Sequence, residues 1–261
     1  MKENFAEYLS KINSSYCSDV PSMIDSHAFI DDLIFLLFPI KQNKNIGKPE
    51  IEVRLERMRL RLKELLIPLE KDLKEAPPVI VDNFFNALPG IFVDLMDDAE
   101  AFMKSDPATE CVEEVILCYP GFYCLSVHRI AHELYSLEVP VLPRVISEYV
   151  HGKTGIDIHP GASIGKRFFI DHGTGIVIGE TAVVGDDVKI YQGVTLGALY
   201  VEKKLQSTKR HPSIEDNVII YAGSTILGGD TVIGHDTVVG GNVWVTESVA
   251  PHSVVYRQHK V

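Results

Sequence analysis

Counted in sixes, the C-terminal part of the chain shows two uninterrupted runs of apolar residues. Ile158, Ile164, Ile170, Ile176, Ala182, Val188 and Val194 form one run, and Ile214, Ile220, Ile226, Val232, Val238, Trp244 and Ala250 form a second. Three residues after the beat stand Gly161, Gly173, Gly179, Gly185, Gly197, Gly223, Gly229 and Gly241, with Asn217, another residue that tolerates positive φ, at a further position. A period of six matches neither the 3.6 of an α-helix nor the two-residue alternation of a hairpin strand. It predicts a parallel β-helix in which three hexads make one triangular coil. The inward aliphatics then stack on their equivalents in the next coil, each contributing about 1.5–3 kcal/mol when fully buried. Hexapeptide coils of this kind wind left-handed, an exception to the usual right-handed crossover.

Residues 1 to about 154 follow a different rule. Between Pro49 and Glu75, leucine and isoleucine recur at spacings of three and four with opposite charges between them, an amphipathic helix with a boundary or kink at Pro68. Further helices are expected at Val81–Leu88, Ile91–Lys104, Ala108–Cys118, Gly121–Leu137 and Val141–His151, with Asp106-Pro107 as an N-cap followed by proline at the first helical position. The fold class is therefore α+β: a helical domain over 1–154 and a left-handed β-helix over 155–261. The beat breaks once, between Val194 and Ile214, where twenty residues stand in place of six. The additional residues, about Tyr200 to Ser213, are expected to leave the coil as a loop. That loop is basic at Lys203, Lys204, Lys209 and Arg210, and insertions in repeat proteins map to a binding face.

The charge balance narrows the partners. A net charge of -11 argues against nucleic-acid binding, which needs a basic face. The apolar stretch Phe29–Ile40 carries Asp31 and Asp32 and is too short to cross a bilayer, and the N-terminus lacks a leader pattern, so a cytoplasmic protein without membrane contact is expected. Cys17, Cys111, Cys118 and Cys124 lack metal-type spacing and are read as reduced thiols outside the coils.

Chemistry-bearing residues crowd the first coils. His172 sits just before Gly173, where a side chain projects off the coil, and Asp157 lies fifteen residues earlier, three short of a full coil, on the neighbouring turn. A carboxylate beside an imidazole fixes its tautomer and stabilises the imidazolium formed when it takes a proton, so the pair reads as a general-base dyad. His128 and His132, at i and i+4, read as helix packing rather than metal ligands, and His159, His172 and His211 form a minority three-histidine zinc reading.

The segments GIDIHPGASIGKRFFIDHGTGIVIGETAVVGDDVKIYQGVTLG, KRHPSIEDNVIIYAGSTILGG, KSDPA and GFYCLSVHRIAHELY resemble serine O-acetyltransferases of the hexapeptide-repeat acyltransferase superfamily, over roughly residues 100 to 252. The resemblance implies acetyl transfer from acetyl-CoA to the L-serine hydroxyl, giving O-acetylserine and CoA, the first step of cysteine biosynthesis. It implies His172 as general base and Asp157 as the carboxylate that orients it. Asp106 and Asp171 would hold the substrate amino group, and Arg210 and His211 its carboxylate. Ala198, Ala222 and Gly223 would supply backbone to CoA, with Lys209 near its phosphates, and no metal takes part. Trimers through the coils, or a dimer of trimers through the helical domains, and feedback inhibition by L-cysteine are implied as well. The chain departs from the family at Ala198, where many members have glycine, and in its bulkier loop. It ends at Val261, short of the isoleucine-terminated tail with which some members dock onto cysteine synthase. Two other readings stay open: an acetyltransferase with another small acceptor, and a noncatalytic CoA-binding assembly subunit.

Overall fold

The computed structural model describes residues 4–16, 19–200 and 208–256. Seven α-helices come first: α1 Phe5–Ser15, α2 Met23–Leu37, α3 Lys48–Leu66, α4 Pro77–Ser105, α5 Val112–Cys118, α6 Pro120–Ser136 and α7 Leu142–Thr154. Helix α3 ends two residues before Pro68, in a 3-10 turn over Ile67–Leu69, as the proline demands. The two helices expected on either side of Pro89 are one, because α4 runs 29 residues with Pro89 inside it. Asp106 is not an N-cap: it follows the end of α4, and its Oδ1 accepts from the Ala108 N–H at 2.8 Å in a turn that delays α5 to Val112. By length and composition α4 could cross a membrane, with a mean hydropathy of 1.4 in its most apolar window. In the fold it is a packing helix: Phe84, Leu88, Leu95 and Phe102 are buried, and α3, α5, α6 and β3 are its neighbours. Cys111, Cys118 and Cys124 are free thiols; Cys17 lies outside the described residues.

Fourteen short strands follow α7 among the described residues. They are β1 Asp157–Ile158, β2 Ser163–Ile164, β3 Phe169–Asp171, β4 Val177–Ile178, β5 Val183–Val184, β6 Lys189–Tyr191, β7 Thr195–Gly197, β8 Ser213–Ile214, β9 Ile219–Ile220, β10 Thr225–Leu227, β11 Val232–Ile233, β12 Val238–Val239, β13 Trp244–Val245 and β14 Val254–Val255. Every third strand stacks in parallel, so β1-β4-β7-β10-β13 form sheet 1, β2-β5-β8-β11 sheet 2 and β3-β6-β9-β12-β14 sheet 3 of a three-sided solenoid.

The pairing register shows where the beat slips. Asp157 pairs with Val177 and Phe169 with Lys189, twenty residues apart, whereas three hexads need eighteen. Val177 pairs with Thr195 at eighteen, and Thr195 with Thr225 at thirty. The fourteen additional residues that the sequence places in one loop are thus two separate insertions, two residues at the corner after β3 and twelve between β7 and β8. Ser213 already belongs to β8. The first slip is silent in sequence because each strand buries two positions two residues apart. Ile176 with Ile178, Val188 with Ile190 and Val194 with Leu196 are all 1% exposed or less. The beat passes from one member of the pair to the other without meeting a polar residue. A further slip follows Ile226: Ser213 pairs with Val232 nineteen residues on, and the inward residues become Ile233, Val239 and Val245. Trp244, on the beat, therefore points outward at 69% exposure, and Ala250 is exposed as well.

Helices α4 and α6 lie on the first coil. Phe102 packs edge-on against Phe169 with ring centroids 4.9 Å apart, and Gly121 approaches so closely that a Cβ there would stand 2.8 Å from the Ile170 carbonyl oxygen. Asp98, fully buried on α4, receives the Arg129 guanidinium of α6 through two hydrogen bonds of 2.6 and 2.9 Å and accepts from the Phe168 N–H. Arg129 also donates to the carbonyls of Ile164 and Gly165. This ion pair binds two helices to the end of the coil, and loss of one partner leaves the other charged and buried. Arg129→Ala should therefore destabilise the protein by about 3–5 kcal/mol, read as a lower urea midpoint with an unchanged slope.

Candidate active site

The two-residue insertion after β3 creates the corner that carries His172. Its backbone is left-handed, φ 55°, a conformation open to histidine more readily than to most residues, and Gly173 follows at φ 88°. The imidazole is 72% exposed, and its Nε2 lies 3.7 Å from Oδ1 of Asp171, the last residue of β3. Asp106 reaches the same corner from the turn after α4. The Tyr119 hydroxyl donates to its Oδ2 at 2.6 Å. That bond, the Ala108 N–H and, more weakly, the nearby His172 hold the Asp106 carboxyl below the usual carboxylate range. One rung above Asp171 stands Tyr191, stacked on Tyr221 with centroids 5.0 Å apart. Burial first, then Tyr221, Asp171 and Asp106, push the Tyr191 phenol up.

Asp157 does not join this cluster through any described hydrogen bond or ion pair. Its carboxylate instead lies with Glu148 and His151 of α7, their ligand-type atoms within 4.8 Å of one another. The insertion explains the difference. A coil of eighteen residues would put His172 three residues before the register partner of Asp157; the coil of twenty puts it five before, on a projecting turn.

Arg210 and His211 are placed on the next corner, between sheets 1 and 2, where the twelve-residue insertion returns. Thr181 is their anchor. Its Oγ1 accepts from the backbone N–H of Arg210 at 2.9 Å and of His211 at 3.1 Å, and lies 2.9 Å from the His211 Nδ1. The Thr181 N–H donates to that same Nδ1 at 3.1 Å, so the ring proton resides on Nε2. Burial, helped by Arg210, lowers the His211 pKa to about 4, and the ring is neutral at physiological pH. The Arg210 guanidinium pairs with Glu180, whose other oxygen accepts from the Tyr135 hydroxyl at 3.0 Å. Lys209 is occupied with the carbonyls of Thr181 and Pro212, at 2.6 and 3.4 Å. Lys203 and Lys204 lie outside the described residues.

One chain thus carries two clusters of polar side chains on adjacent corners, at opposite ends of the sheet 1 strands: Asp106, Asp171 and His172 on one, Arg210 and His211 on the other. Ala222 and Gly223 lie on the His172 corner, where Gly175, Gly193 and Gly223, with φ of 81°, 71° and 71°, stack on successive rungs and leave a trough of bare backbone. Ala198 lies at the other corner, just after β7. The three-histidine zinc set is divided, with His159 and His211 on one corner and His172 on the other. His128 is buried beside His132, rings 5.7 Å apart, and burial drives its pKa well below the ordinary value. Sequence reasoning missed Thr181, Glu180, Tyr119 and Tyr191. The rung spacing of twenty would have paired Tyr191 with Asp171; no local pattern signals Tyr119.

No protein-family model matches the chain. A plasmid-borne serine acetyltransferase of Synechococcus elongatus is 45% identical over 194 residues, which cover 69% of this chain and 60% of that relative. A Staphylococcus aureus serine acetyltransferase is 47% identical over 161 residues, 62% of this chain and 73% of the relative. The crystal structure of Entamoeba histolytica serine acetyltransferase 1 with L-cysteine superposes with a TM-score of 0.79 at 35% identity, covering 87% of this chain and 86% of that one. The Neisseria gonorrhoeae enzyme in complex with serine gives 0.63 at 33%, covering 70% and 73%. The chain spans 60% and 54% of the lengths of two Synechococcus elongatus relatives. With the helical domain and the solenoid both shared, and identity well above that of a common fold alone, this chain belongs to the serine acetyltransferase family.

Proposed function

We propose that the protein transfers the acetyl group of acetyl-CoA to the hydroxyl of L-serine, forming O-acetylserine and CoA, as a cytoplasmic first step of cysteine biosynthesis. The observation that carries this reading is the complementarity of the two half-sites. Asp106 and Asp171 suit an ammonium group, and Arg210 with the neutral His211 Nε2–H suits a carboxylate. Together they fit the zwitterion of an amino acid, and His172 projects from the same corner as the carboxylates. A second copy packed along sheet 1 brings the Arg210 corner of one protomer to the His172 corner of the next. A closed trimer then holds three complete sites, and two trimers joined through the helical domains give a hexamer.

In such a site His172 takes the proton of the serine hydroxyl as the oxygen attacks the thioester carbon. A C–O bond forms, the C–S bond breaks, and the proton passes to the departing sulfur. Asp171, 3.7 Å from the imidazole, is placed to stabilise the cation formed in between. Asp157, on the strand that opens the same coil, would orient the imidazole. The bare trough at Gly175, Gly193 and Gly223 suits the pantetheine arm of CoA, which then hydrogen-bonds backbone near Ala222 and, across the interface, near Ala198. Lys209 would meet a CoA phosphate by exchanging its two carbonyl bonds for the anion. L-Cysteine, bound by the Entamoeba histolytica relative, differs from serine at one atom and would occupy the same groups as an inhibitor.

The purified protein should release CoA thiol from acetyl-CoA with serine and not with sugar acceptors; the reverse preference sinks the reading. His172→Ala should lower kcat about 10²- to 10⁴-fold with unchanged circular dichroism. Gly179 faces the His211 ring so closely that a Cβ would stand 2.1 Å from Nε2. Gly179→Ala should displace the ring and raise the serine KM about tenfold, the loss of one hydrogen bond to a charged group, while the acetyl-CoA KM holds. His211 is neutral in the fold while an unfolded histidine protonates near 6.5. Its contribution to stability is therefore complete above that value and declines as pH falls toward 4. Its ring resonances should titrate near pH 4, and a midpoint near 6.5 would contradict the Thr181 N–H bond.

A further inference from the structure

The corner between sheets 2 and 3 faces away from sheet 1 and belongs to neither half-site. It is a column of left-handed residues, one per rung: Arg167, Asp187, Asn217, Asp236 and His252, all with φ between 56° and 58°. The shared backbone aims successive side chains outward in register, about 4.8 Å apart. On the first rungs a cation is present, since Arg167 holds Asp187 at 2.7 Å and Asp186 at 3.4 Å. Among the described ion pairs, Asp236 meets only histidines, with His235 Nδ1 at 2.7 Å and His252 Nδ1 at 3.7 Å. The two imidazoles cross edge-on at 4.8 Å. Beneath them the Glu215 carboxylate accepts from the His235 N–H at 2.8 Å, which adds negative charge on that side.

One ligand atom from each of His235, Asp236 and His252 lies within 4.8 Å of the other two. Donors around a tetrahedral zinc ion, with bonds of about 2.0–2.1 Å, stand about 3.4 Å apart. The side chains are 46%, 44% and 71% exposed, so rotation about χ1 and χ2 closes the set without disturbing the coil. Two neutral imidazoles and a carboxylate are a borderline donor set that suits zinc, with water as the fourth ligand.

We propose that His235, Asp236 and His252 form a zinc clip that joins the last rung of the solenoid to the coil beneath it. The end of a solenoid has a neighbour on one side only and needs a cap. Here the final coil is also short, since Val238 pairs with Val254 only sixteen residues on. His252 lies within that coil, and a metal bond from it to the rung below holds the open end closed. The clip is independent of the acetyl-transfer reading.

The test uses untagged full-length protein stripped with EDTA and titrated with zinc chloride by calorimetry, beside the double variant His235→Ala, His252→Ala and the single variant His252→Ala. The wild type should bind one zinc per chain, with at least about tenfold weaker affinity in either variant. A hundredfold excess of zinc over Kd should raise the wild-type unfolding midpoint by about 5 °C, and leave that of the double variant unmoved. All three proteins should show the same far-UV circular dichroism and cooperative unfolding in EDTA, which shows the variants folded. Equal zinc affinity in wild type and variants, including uptake at Glu148, His151 and Asp157 instead, overturns the clip, as does a wild-type midpoint that zinc leaves in place.

Discussion

The solenoid stands on one constraint: each strand must bury two side chains, two residues apart, over the same pair in the rung below. Parallel pairing holds the rungs in register, and the buried pairs, such as Ile176 with Ile178 and Val194 with Leu196, fill the space between the three sheets. Everything that is not a rung must leave at a corner. Of the residues proposed for chemistry, His172, Arg210 and His211 are therefore corner residues, Asp171 ends the strand beside one, and the sheets set their spacing.

That constraint also explains what could be read in advance. The helical and solenoid parts follow from their periods and the outward place of His172 from its position before Gly173, whereas roles for Asp171, Arg210 and His211 come only from the family resemblance. The phase did not follow. An aliphatic at both buried positions lets a two-residue insertion pass unseen at His172, and a one-residue insertion after Ile226 moved the inward role from Val232 to Ile233. The count of fifteen from Asp157 to His172 spans that insertion, and the turn over Asp106 to Ala108 resembles a helix start because Asp-Pro serves both purposes. Thr181, a small hydroxyl with no pattern around it, is legible only once the returning loop is seen lying on it.

The electrostatics of the two half-sites differ in kind. On the His172 corner Asp106 and Asp171 leave an excess of negative charge that two tyrosines border without neutralising. On the other corner Arg210 is matched by Glu180, and burial together with the Thr181 N–H keeps His211 uncharged. The carboxylate recognition proposed for that corner would depend on directed hydrogen bonds from fixed donors rather than on a surplus of positive charge. This requires the donors to be held rigidly, and Gly179 and Thr181 hold them.

A stack of identical rungs has translational symmetry, so two such prisms could lie side by side in several positions one rung apart. The insertions abolish that freedom. The register takes in two additional residues at one corner and twelve at the next, on different rungs, and no shift by a whole rung superposes the pattern on itself. The surface along sheet 1 is thereby given an origin, and a second copy can match it in one alignment only. The irregular coils are what make an otherwise repetitive wall able to specify a position.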